Sequence, residues 1–361
     1  MPGSWGWVVN SLTRVCIYGA GAIGGYLAVS LARAGADVSV VARGAHLAAI
    51  QSRGLTLRKD GTDVTCKIRA TDDARTLGTQ DYVIIGMKAH SVPAVVDSIV
   101  PLLGAQTAIV PAVNGLPWWY FHGTRTDTGL DGTWLESVDP GGAQWKTLTP
   151  ERAIGCVVYP ACDVPEPGLV RHVSGDRFTL GEPDGSDSAR LRLLSEMLIA
   201  GGLRAPRKAR LRDEIWVKLL GNCSFNPVSA LTGASLDLIG ADPACRSLIY
   251  DMMVECKSVA EAVGARIGVT IEQRIKGGTD IVGHKPSTRH DVELGRPMEI
   301  DPLISSVQEL ARHSGIATPV LDGVAALLRL QGQVLGLYDR KPAIEAAVRV
   351  QSFSSVANDH S

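Results

Sequence analysis

From Val15 onward, short apolar runs alternate with amphipathic ones. VCIYG (15–19) and DVSVVAR (37–43) read as strands, because a brief apolar run between breakers suits a buried sheet. AIGGYLAVSLARAG (22–35) has the apolar spacing of a helix that stops at Gly35, and GAHLAAIQSRG (44–54) repeats this with Gly54. LTLRKDGTDVTCKIRAT (55–71) alternates around Asp60-Gly61, a hairpin signal. YVIIGMK (82–88), AIVPAV (108–113) and IGCVVYPA (154–161) predict buried strands, with a helical stretch near 92–103. LVRHVSGDRFTLGE (169–182) predicts a second hairpin. Strands alternating with helices imply a doubly wound parallel sheet, hence an α/β fold.

Beyond residue 188 the strand signals stop. Helical patterns cover 188–201, 208–234, 243–264, 299–313 and 319–348, which predicts an all-helical second domain joined near 185–208. The expected organisation is an N-terminal extension (1–13), an α/β domain (14–200), a helical domain (201–350) and a tail (351–361).

The turn after the first strand carries chemistry. GAGAIG, residues Gly19, Ala20, Gly21, Ala22, Ile23 and Gly24, is a GxGxxG that follows a strand and opens a helix. Gly19 permits the tight turn, Gly21 lets a pyrophosphate approach the backbone, and Gly24 lets helix and strand pack closely. The helix N-terminus then offers free N–H groups and a positive dipole end to the diphosphate. This Rossmann-type arrangement predicts a dinucleotide site. An acid that would bind a ribose 2′-hydroxyl is missing from the end of the second strand, where Arg43 stands instead. A guanidinium there suits a 2′-phosphate, so NADPH is favoured over NADH, with an exposed surface arginine as the alternative. Asp37 precedes that strand rather than ending it. Lys88 and Asn114 follow two further buried strands, where open α/β sheets bind ligands, although each could simply mark a strand's end.

A second polar set lies in DEIWVKLLGNCSFNPVSALTG (213–233). Lys218, Asn222 and Asn226 are spaced i, i+4, i+8 and share one helix face, either as a ligand surface or as a solvated stripe. Pro227 predicts a helix break at Asn226. Glu299 opens a later helix, and Ser287 lies twelve residues before it.

Charge and composition narrow the classes. The formal net charge is −1, so no global field attracts nucleic acid or anionic membrane. The basic cluster RAPRKARLR (204–212) has no interleaved aromatics and reads as a solvated loop or helix start. No apolar run is long enough for a membrane span, and the N-terminus lacks a secretion pattern. Seven scattered cysteines without CxxC spacing predict neither a disulfide framework nor a metal site, and fit a reducing cytoplasm. His46 reads as a surface residue, or as an aid to Arg43; His284 and His290 flank Ser287, and Asp291 and Asp301 read as helix-start acids.

The glycine turn with VARG, the NG after a strand, IWVKLLGNCSFNPVSALTG and the PS…EID spacing together resemble the ketopantoate reductase (2-dehydropantoate 2-reductase) family, from about residue 13 to 330. The resemblance implies NADPH-dependent reduction of a small 2-keto acid in pantothenate biosynthesis, in a cleft between two domains. It implies Lys218 as general acid, Glu299 orienting lysine and substrate, and Asn222, Asn226 and Ser287 binding substrate. Lys88 and Asn114 would lie by the nicotinamide and Arg43 on the 2′-phosphate. Apart from the resemblance, the helical domain has enough apolar surface for a homodimer.

This chain departs from the family pattern in two places. After Asn114-Gly115 it carries a long insertion, within 116–150, that holds Trp118, Trp119, Trp134 and Trp145. That segment is either an aromatic flap packed on its own domain or a lid that reshapes the pocket for a bulkier 2-keto or 2-hydroxy acid. The second departure is Thr288, where methionine is usual. A catalytically idle NADPH-binding sensor is the remaining alternative.

Overall fold

The computed structural model describes residues 13–124, 128–339 and 341–348. The tail at 351–361, and all of the N-terminal extension except Thr13, lie outside the described residues.

In chain order the first part contains β1 (Arg14–Tyr18), α1 (Ala22–Arg33), β2 (Asp37–Val41), α2 (Gly44–Arg53), β3 (Leu55–Lys59), β4 (Thr62–Cys66), β5 (Arg69–Thr71), β6 (Gln80–Ile85), α3 (Val96–Ile99) and β7 (Leu103–Pro111). It continues with α4 (Ala143–Leu148), β8 (Gly155–Val158), β9 (Ala161–Glu166), β10 (Leu169–Ser174), β11 (Phe178–Gly181) and α5 (Ala189–Ala200). Five strands form a parallel sheet in the order β5-β2-β1-β6-β7. The strands read as apolar runs because both faces are covered: Ile17, Val40, Ile84 and Val110 are buried on one face, and Cys16, Val83, Ile85 and Ile109 on the other. With β1 central, β2 lies on one side and β6 on the other, so the chain reverses direction across the sheet at β1 and β6. Crevices at such reversals are where doubly wound sheets bind ligands.

The predicted hairpin around Asp60-Gly61 forms: β3 and β4 pair antiparallel, with Asp60 at φ 50°. The other predicted hairpin does not. β10 pairs with β9 and with β3 in the sheet β4-β3-β10-β9, while β11 pairs with β8. Two adjacent apolar runs joined by a glycine cannot reveal that each has a better partner elsewhere. The helix expected near 92–103 shrinks to the four residues of α3 between 3₁₀ turns, since Pro93 and Pro101 each remove a backbone donor.

The helical part comprises α6 (Leu211–Thr232), α7 (Leu236–Ala241), α8 (Pro243–Ala262), α9 (Ile271–Thr279), α10 (Ser287–Glu293), α11 (Ser306–His313), α12 (Pro319–Val334) and α13 (Pro342–Val348). Its core includes Ile249, Met252, Met253, Cys256, Val259, Val307, Leu310 and Leu328. The expected break at Asn226 is absent, because α6 runs unbroken through Pro227. The proline removes one ladder bond, but Trp216, Leu219, Leu220, Cys223, Phe225 and Val228 are all buried, and this packing holds the helix together. The pattern at 319–348 divides into α12 and α13. Gly336 adopts φ 68°, and Leu337 N–H bonds to the Gly332 carbonyl at 2.7 Å, closing α12. A π-helical turn, Asp301–Ser305, leads into α11, and its Asp301 is buried, accepting hydrogen bonds from Ser305 Oγ (2.8 Å) and Tyr338 OH (2.9 Å).

The chain divides into two compact units. One ends at Trp134 and resumes over Gly141–Lys218; the other takes Leu135–Pro140 and everything from Leu219. The division therefore falls inside α6. In the second unit Glu309 of α11 accepts Glu136 N–H (2.8 Å), Ser137 N–H (2.9 Å) and Ser137 Oγ–H (2.5 Å), which anchors the short segment from the insertion.

Candidate active site

In the α/β unit the glycine turn leaves β1 at the sheet's reversal. Gly19 has φ +97°, and a Cβ there would lie 2.5 Å from Met87 Cγ. A Cβ on Gly24 would sit 2.0 Å from the Gly19 carbonyl oxygen, so this glycine is required for helix–strand contact. Gly86, at the end of β6, meets the same wall: its Cβ would lie 2.7 Å from Gly19 O and from Gly24 Cα. Sequence reasoning missed Gly86, although a glycine straight after the apolar run YVII (82–85) was the available signal.

Gly21 differs from these three. It is exposed, and its Cβ would meet only Gly86 O at 3.9 Å. Nothing among the described residues requires glycine there. The backbone at Gly21 lies open at the start of α1, whose first turn has neither an acid nor a side-chain cap. Ala22 and Ile23 are partly exposed on that turn, and Ala20 is buried beneath it. Free helix N–H groups beside an open cradle fit a diphosphate.

His46 is not the surface residue expected from sequence. It is half-buried, and its Nδ1 accepts the Gly168 N–H (3.0 Å), which leaves Nε2–H to donate to the Ala20 carbonyl (2.7 Å). The ring thus pins the glycine turn from behind. Arg43 is exposed, where the chain leaves β2 and enters α2.

Lys88, half-buried, follows β6 and opens a 3₁₀ turn, and Asn114 follows β7 beside Gly115 (φ +87°). α6 brings Lys218 to the same edge of the unit: its Nζ donates to Asn114 Oδ1 at 2.6 Å and to the Val158 carbonyl. The Tyr159 ring centroid lies 5.8 Å from that Nζ, and Tyr159 OH donates to Glu214 Oε2 at 2.7 Å, one helical turn before the lysine. Burial pushes the Cys156 thiol up to about 12, with the Lys218 charge pulling the other way. Tyr159 and Cys156 carried no sequence signal, since their only link to Lys218 is spatial.

In the helical unit, Asn226 is 5 % exposed and its Nδ2 donates to Thr288 Oγ1 at 3.4 Å. The threonine that stands where the family pattern has methionine is therefore a direct partner of a predicted substrate ligand. Ser287, the first residue of α10, is exposed, Asn222 is half-buried, and Glu299 is buried two residues before the π-helical turn. His284 is half-buried, and desolvation lowers its pKa.

The basic cluster is largely neutralised in place. Arg204 pairs with Asp176, Arg207 with Asp187 and Arg210 with Asp213, while Arg212 bonds to main-chain carbonyls. Among the described residues, no group of three or more His, Cys, Asp or Glu is arranged to hold a metal ion, and no helix is long and apolar enough to cross a membrane.

Comparison with known proteins gives the family of the chain. The family model "Ketopantoate reductase PanE/ApbA" matches residues 15–118, and its C-terminal counterpart matches 210–332. A 2-dehydropantoate 2-reductase from Mesorhizobium japonicum is 52% identical over 326 residues, covering 90% of this chain and 99% of the relative. Among solved structures, a candidate ketopantoate reductase from Ralstonia solanacearum superposes with a TM-score of 0.86 at 41% identity, covering 91% of this chain and 100% of that one. The 2-dehydropantoate 2-reductase from Geobacter metallireducens gives 0.77 at 28% identity, covering 88% and 99%. The segment between the two matched regions, 119–209, contains most of the tryptophan-rich insertion together with β8 to β11 and α5. With its glycine turn, its lysine-bearing α6 and near full-length likeness, the chain belongs to the ketopantoate reductase family.

Proposed function

We propose that this oxidoreductase reduces 2-dehydropantoate to pantoate with NADPH, with Lys218 as the general acid, as a step of pantothenate biosynthesis. The observation that carries this reading is the Lys218 ammonium, held on Asn114 at the carboxyl end of β7, in the same sheet whose β1 opens the glycine turn. Gly19 through Gly24, with the N-terminus of α1, would hold the diphosphate, and Arg43 the 2′-phosphate. Lys88 and Asn114 would flank the nicotinamide. Bound NADPH supplies the hydride.

Reduction of a ketone leaves an alkoxide that needs a proton. An ammonium within hydrogen-bond reach stabilises the developing charge and delivers that proton from Nζ. Asn114 fixes the lysine while adding no charge. Asn222, Asn226 and Ser287 are assigned to substrate, with Thr288 holding the Asn226 amide in place, and Glu299 is the acid that orients substrate.

The test is NADPH oxidation with 2-dehydropantoate beside bulkier aryl and branched 2-keto acids. A high kcat/KM confined to 2-dehydropantoate supports the proposal. Strong turnover of a bulky acid alone reassigns the substrate, and no turnover of any leaves a nucleotide-binding sensor. The buried state of Trp118, Trp119, Tyr120 and Phe121 speaks for the first outcome, because these rings pack inside the unit.

The proposal includes a cytoplasmic homodimer. Leu327, Leu330 and Val334 are 59%, 58% and 77% exposed on one face of α12, beside an apolar groove lined by Val228, Leu231 and Leu248. A patch of that kind marks an interface. Sedimentation of the wild type and Leu330→Glu tests it: the dimer is wrong if the wild type sediments as a monomer.

A further inference from the structure

The insertion's first residues grip the helix that carries the proposed general acid. Arg212, in the first turn of α6, donates to the carbonyls of Tyr120 (2.8 Å), His122 (2.7 Å) and Pro183 (2.5 Å), and no acid partners it among the described residues. Its guanidinium lies 5.5 Å from the ring centroids of both Trp119 and Tyr120, and burial holds its pKa below the usual arginine value. One turn on, the fully buried Trp216 donates Nε1–H to Tyr120 OH at 2.6 Å, with the two rings edge to face. Two residues later, Lys218 reaches Asn114. A single nine-residue stretch, Asn114 to His122, thus meets α6 at positions 212, 216 and 218.

That stretch is itself stiff. Tyr120 N–H bonds to the Pro117 carbonyl, His122 N–H to Trp119, and Gly132 N–H to Phe121, while Trp118 to Phe121 are all buried. Arg212 and Trp216 are spaced i, i+4 on one face, so together they set how far α6 is rotated and advanced along its axis. Lysine has many rotamers, and a general acid must be held to within a fraction of an ångström. Main-chain carbonyls satisfy the guanidinium fork with three acceptors, which an ammonium cannot reproduce in one plane.

We propose that the loop from Asn114 to His122 is a splint for α6, and that Arg212 and Tyr120 are positioning residues for Lys218. The proposal rests on Lys218 being the general acid. Arg212 and Tyr120 act through the helix rather than by touching substrate or cofactor. The aromatic insertion then serves catalysis as scaffold rather than as lid.

The experiment is a kinetic cycle on the full-length protein with NADPH and 2-dehydropantoate. Arg212→Lys and Tyr120→Phe are each measured alone and in a Lys218→Ala background, with Tm recorded for all. Alone, each should lower kcat, Arg212→Lys by about 10–100-fold, because small displacements of a catalytic group cost rates of that order, while KM for NADPH stays the same. In the Lys218→Ala background, each should change kcat less than about twofold, since the group they position has gone. Equal effects with and without Lys218, or wild-type kcat in folded single variants, would overturn the splint. Should Arg212→Lys fail to fold, Tyr120→Phe carries the test alone, because it removes only the hydroxyl that Trp216 meets. Lys218→Ala by itself reports on the general-acid reading: wild-type turnover there sinks that reading, whereas the cycle judges the splint.

Discussion

The Lys218 ammonium donates a 2.6 Å hydrogen bond to Oδ1 of Asn114, joining residues 104 positions apart in sequence. A helix and a post-strand loop meet at this bond, and it sets where the lysine proposed as proton donor stands relative to the parallel sheet. Lys218→Ala should lower kcat by about 10²–10⁴-fold, the usual range for a lost general acid. Asn114→Ala should cost less, since the Val158 carbonyl still holds the ammonium. Stopped-flow NADPH oxidation measures both, and wild-type single-turnover rates for Lys218→Ala would remove the lysine from the mechanism.

Two glycines of the same turn should respond oppositely to the same added methyl group. Gly24→Ala places its Cβ against the Gly19 carbonyl and should destabilise the fold by about 1–3 kcal/mol or more. Gly21→Ala makes only an ordinary 3.9 Å contact with Gly86 O and should leave Tm nearly unchanged while weakening NADPH binding. Thermal unfolding paired with fluorescence titration separates the two effects. Intact NADPH affinity in Gly21→Ala would mean that the cradle does not hold the diphosphate.

Arg43 stands exposed between β2 and α2, where its carbonyl accepts the Leu47 N–H at 3.3 Å. Arg43→Ala should weaken NADPH by about 10–100-fold, the worth of charge-assisted hydrogen bonds to a phosphate, and leave NADH almost unaffected. The measured quantity is the ratio of kcat/KM for the two cofactors. A ratio unchanged by the substitution places 2′-phosphate recognition elsewhere.

His284 links stability to pH. Desolvation lowers its folded-state pKa below the unfolded value, so unfolded chains bind the proton more readily. Its neutral form suits the fold above pH of about 6.5, the ordinary histidine value, and stability falls as pH drops below it toward the lowered folded value. Replacing it by His284→Gln should shrink the Tm difference between pH 7.5 and pH 5.5. An equal or larger difference in the variant would show that the histidine's environment is not the cause.

Local pattern determined a large part of this protein. The strand-turn-helix over residues 15–35, the parallel α/β order and the later helices follow from apolar periodicity and glycine placement, because these elements are set by neighbours a few residues away. The glycine turn and the i, i+4, i+8 polar set on α6 were legible for the same reason. Tertiary structure alone decided the rest. It sent β10 and β11 to different sheets, carried α6 through Pro227 by burying the helix around it, and turned His46 into a brace for Ala20. It also closed the aromatic insertion onto Arg212 and Trp216, and paired Thr288 with Asn226. Each of these depends on a partner tens of residues distant, chosen by which surfaces can be buried together, and periodicity along the chain carries no record of that choice.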